Sequence, residues 1–385
     1  MNILFVTDSF PPHAGGAGWA TYNLAKELKK KGHSIHILKP CAEEKEFNEF
    51  KIHTTCTKLP KEFAYLSLRK EIEKLVKEHN IRLVVATYLK SALACKKIRT
   101  PFVTIIHDYW PICYKGTRFD LKTKRSYEKS NYVNILKSIS YENKGIIRIL
   151  SPIIAIYLTW RTKQALKSLR KSKSAFFNSE HTLKKLKPYI PNIPTHNIYN
   201  IFPEYRVDAT PEVVSKAKNS FLFVGKLNTY KGAEILIEVA KRLPNTRFTV
   251  AGWVDEKTKK RFPSNITFLG YLTHEKTLGA MKNATALLVP SIWEEPLGMI
   301  AVESLMVGTP AIVSNQGGLK EIVENNKNGL VVEPTAKAFN NAIEKMQDNK
   351  FQEQLAKNTS RINTKFNNAK LVEIFLKEIA KVYKK

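Results

Sequence analysis

Two series of short apolar runs, rich in β-branched and aromatic residues, alternate with longer stretches of helical periodicity, and this alternation constrains the chain more than any other feature. It is the signature of βαβ units, in which parallel strands are joined by crossover helices. The first series is Ile3–Val6, Ser34–Leu38, Arg82–Ala86, Phe102–Ile106, Ala175–Asn178 and Asn197–Tyr199. The second is Phe221–Val224, Phe248–Ala251, Ile266–Phe268, Ala286–Val289, Ala311–Val313 and Leu330–Val332. Between them NIFPEYRVDATPEVVSKAKN, rich in Pro and polar residues, marks a boundary. The expected architecture is two doubly wound α/β domains, 1–200 and 201–365, facing each other. Ligands bind beyond the carboxyl ends of such strands, so a cleft between the domains is the expected site. The amphipathic stretch Leu371–Tyr383, within a last segment 366–385, is expected to pack back on the first domain.

Charge narrows the partners. The 63 Lys and Arg outnumber the 34 Asp and Glu, a net +29, which calls for an anionic partner or surface. Residues 115–187 hold 18 Lys or Arg against 4 Asp or Glu, so about half of the excess sits in about a fifth of the length. Within them ILSPIIAIYLTW (149–160) is the longest uncharged apolar run, too short at twelve residues to cross a bilayer, which takes about 20. The basic segment WRTKQALKSLRKSK follows it directly, and the pair suits attachment to an anionic membrane surface. An ordinary buried helix is the competing expectation. No basic region precedes the short apolar start MNILFV, so no signal peptide is expected. The four cysteines, Cys41, Cys56, Cys95 and Cys113, show no CxxC spacing, so neither a disulfide framework nor a zinc site is expected. A reducing, cytoplasmic setting follows.

The chemistry concentrates in VPSIWEEPLGMIAVESLMVGTPAIVSNQGGLKEIV (289–323). A strand ends at Val289, a polar loop carries Glu295, and Pro296 occupies what reads as the first position of a helix that runs to about Val307. Gly308-Thr309-Pro310 stops it. The free amides of that helix start suit a phosphate. Glu295 and Glu303 bracket it, spaced for two separate sugar rings with a diphosphate between, or else standing as a chance cap and a solvated helix residue. In FLFVGKLNTYKG (221–232) Lys226 and Lys231 follow a strand, where two ammonium groups would neutralise a departing pyrophosphate. Gly317-Gly318 after the next strand allows close backbone approach to a ligand, or a plain turn. In the first half PPHAGGAGW (11–19) follows the first strand, but it lacks the third glycine of a dinucleotide loop, and Lys39-Pro40 stands where an acidic residue would hold a nicotinamide ribose. His107 ends the strand PFVTIIHD and reads equally as a polar contact or a structural histidine.

At these residues the sequence resembles the retaining family-4 glycosyltransferases over nearly its whole length. The resemblance is most specific at EPLGMIAVE, a Glu, seven residues, then Glu. GTPAIVSNQGGLKEIV, GKLNTYKG, NSEHTLKKL and PPHAGGAGWATYNLAKELKKKGHSIHIL support it. It implies the GT-B fold, two Rossmann-like domains with a C-terminal helix crossing back. It also implies Glu303 on the nucleotide ribose, Glu295 on the donor sugar, and Lys226 and Lys231 on the diphosphate. Gly298, Met299 and Ile300 would present backbone groups, Gly16 would lie against the diphosphate, and His107 would touch the transferred sugar. The catalytic set is thus Glu295, Lys231, Lys226 and His107. Two departures stand out: Lys226 replaces the usual Arg, losing bidentate phosphate contact, and Tyr199-Asn200-Ile201-Phe202 replaces Asn-Gly-Val-Asp. The implied reaction moves a sugar, with retention, from a nucleotide diphosphosugar to an acceptor hydroxyl on a sugar or lipid-linked glycan of the cell envelope. No metal or cofactor is expected, lysines serving instead, and no nucleic acid. The setting would be cytoplasmic and peripheral to the inner face of the membrane. The competing functions are a nicotinamide-dependent oxidoreductase or epimerase and a non-catalytic membrane-binding module.

Overall fold

The computed structural model describes residues 1–11, 14–40, 49–57, 59–203 and 219–383. It contains two compact units: residues 1–118, 128–203 and 366–385, and residues 119–127 with 204–365. Residues 204–218 of the expected boundary lie outside the described residues.

The first unit is built on β1 (Asn2–Val6), β2 (Ser34–Pro40), β3 (Lys51–Thr55), β4 (Leu83–Ala86) and β5 (Phe102–Ile106). A short hairpin, β6 (Phe119–Asp120) and β7 (Arg125–Ser126), comes next in the chain and groups with the second unit. β8 (Ala175–Phe177) and β9 (Thr195–Asn197) complete the first sheet, which is parallel throughout in the order β3-β2-β1-β4-β5-β8-β9. Strands β4 and β5 are buried at every position, as strands covered on both faces must be, whereas no residue of edge strand β3 is fully buried. That polar edge, KIHTT, carries no apolar run, which is why the sequence reading passes over it. The expected strand at Asn197–Tyr199 lies two residues earlier. Helix Asn368–Tyr383 sets Leu371, Val372, Phe375 and Ile379 into this unit's core, with the Phe375 ring 4.7 Å from Phe176.

The second unit holds β10 (Ser220–Val224), β11 (Arg247–Ala251), β12 (Ile266–Gly270), β13 (Ala286–Val289), β14 (Ala311–Ser314) and β15 (Gly329–Val332). All are parallel in the order β12-β11-β10-β13-β14-β15. In both sheets the first strand lies inside and the order reverses beside it, between β1 and β4 and between β10 and β13. Those reversals are where open parallel sheets bind ligands.

One cysteine expectation is corrected. Cys95 and Cys113 are buried and form no disulfide, but Cys56 is disulfide-bonded. The lack of CxxC spacing does not speak against this, because a disulfide depends on the approach of two Cβ atoms in the fold rather than on sequence spacing. The cysteines therefore give no support to a reducing compartment. Among the described residues no helix is long and apolar enough to cross a membrane.

Candidate active site

Three loops leave the carboxyl ends of neighbouring strands in the second sheet: 225–232 after β10, 290–298 after β13 and 315–318 after β14. They are locked together around Glu295. Its carboxylate is 4% exposed as a residue, and three donors converge on one oxygen. Lys231 Nζ donates to Oε1 at 2.5 Å, Ser291 Oγ at 2.7 Å and Trp293 Nε1 at 2.8 Å. Among the described residues no donor reaches Oε2 by hydrogen bond. Lys231 also lies over the Trp293 ring, 5.2 Å from its centroid, so the ammonium is held between a carboxylate and a π-face.

The chain conformation explains this convergence. Asn228 Oδ1 accepts from Lys231 N, closing a 3-10 turn at Thr229–Lys231, and Gly232 leaves that turn with φ of 85°. Any Cβ on Gly232 would lie 2.0 Å from Pro290 O, so the two loops touch backbone to backbone. Ile292 N donates to Tyr230 O at 2.9 Å, and the Tyr230 and Trp293 rings meet edge to face. On the other side Gly317, φ 60°, would place a Cβ 2.2 Å from Glu295 O, while Gly318 N donates to that same oxygen at 2.7 Å. The Gly317-Gly318 pair thus packs the Glu295 backbone.

The helix start differs from expectation. It runs over Met299–Met306, three residues later than the sequence suggests, and Pro296 is not its first residue. Gly298, at φ 91°, turns the chain in the left-handed region and serves as the N-cap, ending any continuous helix from Pro296. A helical rise therefore does not measure the separation of Glu295 from Glu303. The amides of Gly298, Met299 and Ile300 still occupy the first turn, where N–H groups lack intrahelical acceptors. Glu303 sits in the second turn, its Oε1 3.6 Å from His274 Nε2. Desolvation lowers the His274 pKa below its ordinary value, favouring the neutral ring. Lys226 is exposed and lies over the Trp253 ring, 4.6 Å from its centroid.

In the first unit His107 follows β5. Both its ring nitrogens are buried without a hydrogen-bond partner, and desolvation holds its pKa down at about 4. Beside it Asp108 accepts from Trp110 N at 2.6 Å. Desolvation pushes the Asp108 carboxyl up to about 7, with the charge of Asp8 adding to the rise. Gly16 is the exposed first residue of the helix Gly16–Lys30.

The second unit thus brings Lys231 and Glu295 into direct contact, with the first-turn amides of Gly298, Met299 and Ile300 three to five residues further along the chain. Within the same unit Lys226 lies over Trp253 and Glu303 faces His274, while His107 and Gly16 belong to the first unit. Sequence reasoning missed Ser291 and Trp293 as Glu295 donors, Tyr230 as their brace, and Asp8 beside Asp108. A Ser four residues and a Trp two residues before a Glu in a strand-end loop was the available signal.

Comparison with known proteins decides the lineage. Residues 14–202 match the model described as Glycosyltransferase Family 4, and residues 208–362 match Glycosyl transferases group 1. This chain belongs to the family-4 glycosyltransferases. Among its relatives is glycogen synthase of Mycobacterium tuberculosis (strain ATCC 25618 / H37Rv), 36% identical over 124 residues, 29% of this chain and 30% of the relative. The match thus spans about a third of that relative's length. The fold is GT-B. Sucrose-phosphate synthase from Thermosynechococcus elongatus superimposes with a TM-score of 0.76 at 16% identity, covering 99% of each chain. Anabaena HepE in complex with UDP-glucose gives 0.72 at 18% identity over 99% of this chain and 100% of that one. This family-4 membership leaves the nicotinamide reading without support.

Proposed function

We propose that this protein transfers a sugar from a nucleotide diphosphosugar to an acceptor hydroxyl, with retention of anomeric configuration. The observation that carries the reading is the Lys231–Glu295 pair at the sheet's reversal point, beside a helix N-terminus. Membership of the family supports it, as does the UDP-glucose complex of Anabaena HepE, a protein of the same fold.

In this reading the leaving diphosphate lies at the amides of Gly298, Met299 and Ile300, where N–H groups and the helix dipole favour negative charge. Lys231 and Lys226 neutralise the charge that grows on the phosphate as the glycosidic bond breaks, and no metal is invoked. Lys231 is already tethered by Glu295, so it is oriented before the donor arrives. Glu295 keeps Oε2 for sugar hydroxyls, and Glu303 binds the ribose. His107 and Gly16 take the contacts that the family resemblance implies, to the transferred sugar and the diphosphate. The acceptor attacks from the face that the phosphate leaves, and the phosphate oxygen takes the acceptor proton.

We further assign the acceptor to a membrane-associated glycan. Ile149, Ile153 and Ile156 are 72%, 66% and 61% exposed, on one stripe with Trp160 along Gly145–Ile149 and Ser151–Leu169. This apolar face is open, contrary to the expectation of an ordinary buried helix. Basic side chains flank it, with Arg69, Lys96, Lys97 and Arg161 lining a hollow beside Tyr157 and Trp160. Apolar insertion beside cations is the arrangement that anionic lipid selects.

A melting-temperature screen against UDP-, GDP- and ADP-sugars tests the donor, since a ligand that binds the native state raises the midpoint. NMR of the product then reads the anomeric configuration. Failure of every nucleotide sugar to shift the midpoint, or an inverted product, overturns the reading.

A further inference from the structure

His36, His53 and His79 converge at the outer edge of the first sheet, from three different elements. His36 lies on β2 and is 1% exposed. In the β2–β3 register Leu38 pairs with His53 and His36 with Lys51, which places the two histidines diagonally on one face of the sheet. His79 is the C-cap of the helix Ala64–Glu78, and its N–H still bonds Leu75 O at 3.0 Å. That helix packs Leu68, Ile72 and Leu75 against Leu4, Val6 and Leu38. Asn2 Nδ2 fixes its end by donating to His79 O at 2.6 Å.

His36 Nδ1 stands 3.1 Å from His53 Nε2, and one ring nitrogen from each histidine lies within 4.8 Å of the others. The ring centroids are 4.6 to 5.4 Å apart. A single proton between two imidazoles satisfies that pair alone, while the third ring brings a nitrogen into the same small space. A cation that accepts all three lone pairs resolves the crowding. Zinc–nitrogen bonds of about 2.0–2.1 Å in a tetrahedron put ligand nitrogens roughly 3.4 Å apart, so small ring rotations would close the set. Burial and the neighbouring imidazoles hold His36 down at about 4, and burial also lowers His53, so both rings offer lone pairs near neutrality. Lys51 opposes a cation at His36 and His53, while Glu71 and Glu78 favour one at His53.

We propose that His36, His53 and His79 form a three-histidine site for an imidazole-preferring divalent transition-metal ion of the Zn²⁺ class. The ion clamps the β2–β3 edge to the C-terminus of the helix Ala64–Glu78, with a fourth position for water. Imidazole sets of this kind suit zinc and its first-row neighbours. The proposal is independent of the glycosyltransferase reading.

The test uses the full chain without an affinity tag, stripped with EDTA and titrated with Zn²⁺ in a calorimeter and with Co²⁺ in a spectrophotometer. One equivalent binds, Co²⁺ gives visible absorption of low-coordinate nitrogen ligation, and the melting temperature rises with the logarithm of metal concentration. His53→Gln and His79→Gln, both at partly exposed positions, abolish stoichiometric binding and the metal-induced rise, while their melting temperatures in EDTA stay near the parent's. Should a variant melt early, the parent protein decides through three Co²⁺-shifted imidazole N–H resonances. Absence of a one-to-one complex, or its persistence in either variant, overturns the proposal.

Discussion

Replacing Lys231 by methionine keeps the apolar stem over Trp293 but strips Glu295 of its charged donor. Ser291 and Trp293 still hold Oε1, so the cost is that of one charge-assisted hydrogen bond, about 1.5–3 kcal/mol, rather than that of an isolated buried charge. Turnover should fall by about 10²–10³, the usual price of one lost donor to developing negative charge. Lys226→Met should differ: its exposed stacking on Trp253 is worth about 0.5–1 kcal/mol, so stability hardly moves while turnover drops. Equal losses of stability in the two variants, measured by urea titration, would contradict the separate surroundings of these lysines. His107 sets a pH signature. The unfolded chain protonates this ring near pH 6.5, whereas the folded ring resists until about 4, so stability falls as pH drops across that window. Asp108 acts in the opposite sense: with its folded value raised to about 7, its contribution is full below 3.8 and fades as pH rises through 7. His107→Gln removes the first contribution and leaves the second. The two contributions oppose each other between pH 6.5 and 4.5 in the parent, so acidification over that range should cost the variant less stability, or stabilise it more, than it does the parent, and an equal response of the two melting temperatures would mean that the imidazole is hydrated.

At the scale of elements, the Glu295 loop is a wedge between two glycine-bearing neighbours. Gly317→Ala would add a Cβ 2.2 Å from a backbone oxygen at a φ of 60°, with no flexible atom to give way. Left-handed strain alone costs about 1–2 kcal/mol, and displacing the loop adds to it. Gly298→Ala meets Leu319 Cδ2, the end of a mobile side chain, so strain at φ 91° is the main term there. Thermal melts should rank Gly317→Ala as more destabilised than Gly298→Ala, and the reverse order would show that the 315–318 turn yields. The same loops show how much was legible in the sequence. Buried strands such as β4, β5 and β13 announce themselves, because a strand covered on both faces must be apolar at each position. The Glu295–Glu303 spacing and the two lysines were also readable. The start of the helix after Glu295 was not, since Pro296 obeys the local rule for a first helical residue and only the left-handed turn at Gly298 defers it. Strand β3 and the Ser291, Trp293 and Tyr230 contacts were hidden for a related reason: pairing and hydrogen bonding across loops depend on three-dimensional neighbours rather than on periodicity.

For the molecule as a whole, a net charge of +29 attracts many anions without choosing among them, so electrostatics alone would bind vesicles, nucleic acids and polyphosphates alike. The open apolar stripe adds the discrimination. Ile149, Ile153 and Ile156 gain nothing from a polyelectrolyte in water, but each can enter the acyl boundary of a bilayer at about 0.8 kcal/mol per buried methylene. Charge should set the salt dependence of binding, and the isoleucines should set what survives at high salt. Flotation with vesicles containing phosphatidylglycerol should recover the parent protein at low salt and part of it at high salt. The triple variant Ile149→Ser, Ile153→Ser, Ile156→Ser should float at low salt alone. Because these side chains are already exposed, their replacement should leave the melting temperature nearly unchanged, so lost flotation cannot be blamed on unfolding. Equal flotation of parent and variant at high salt would show that the stripe stays out of the bilayer, and the membrane-bound acceptor would lose its main physical support.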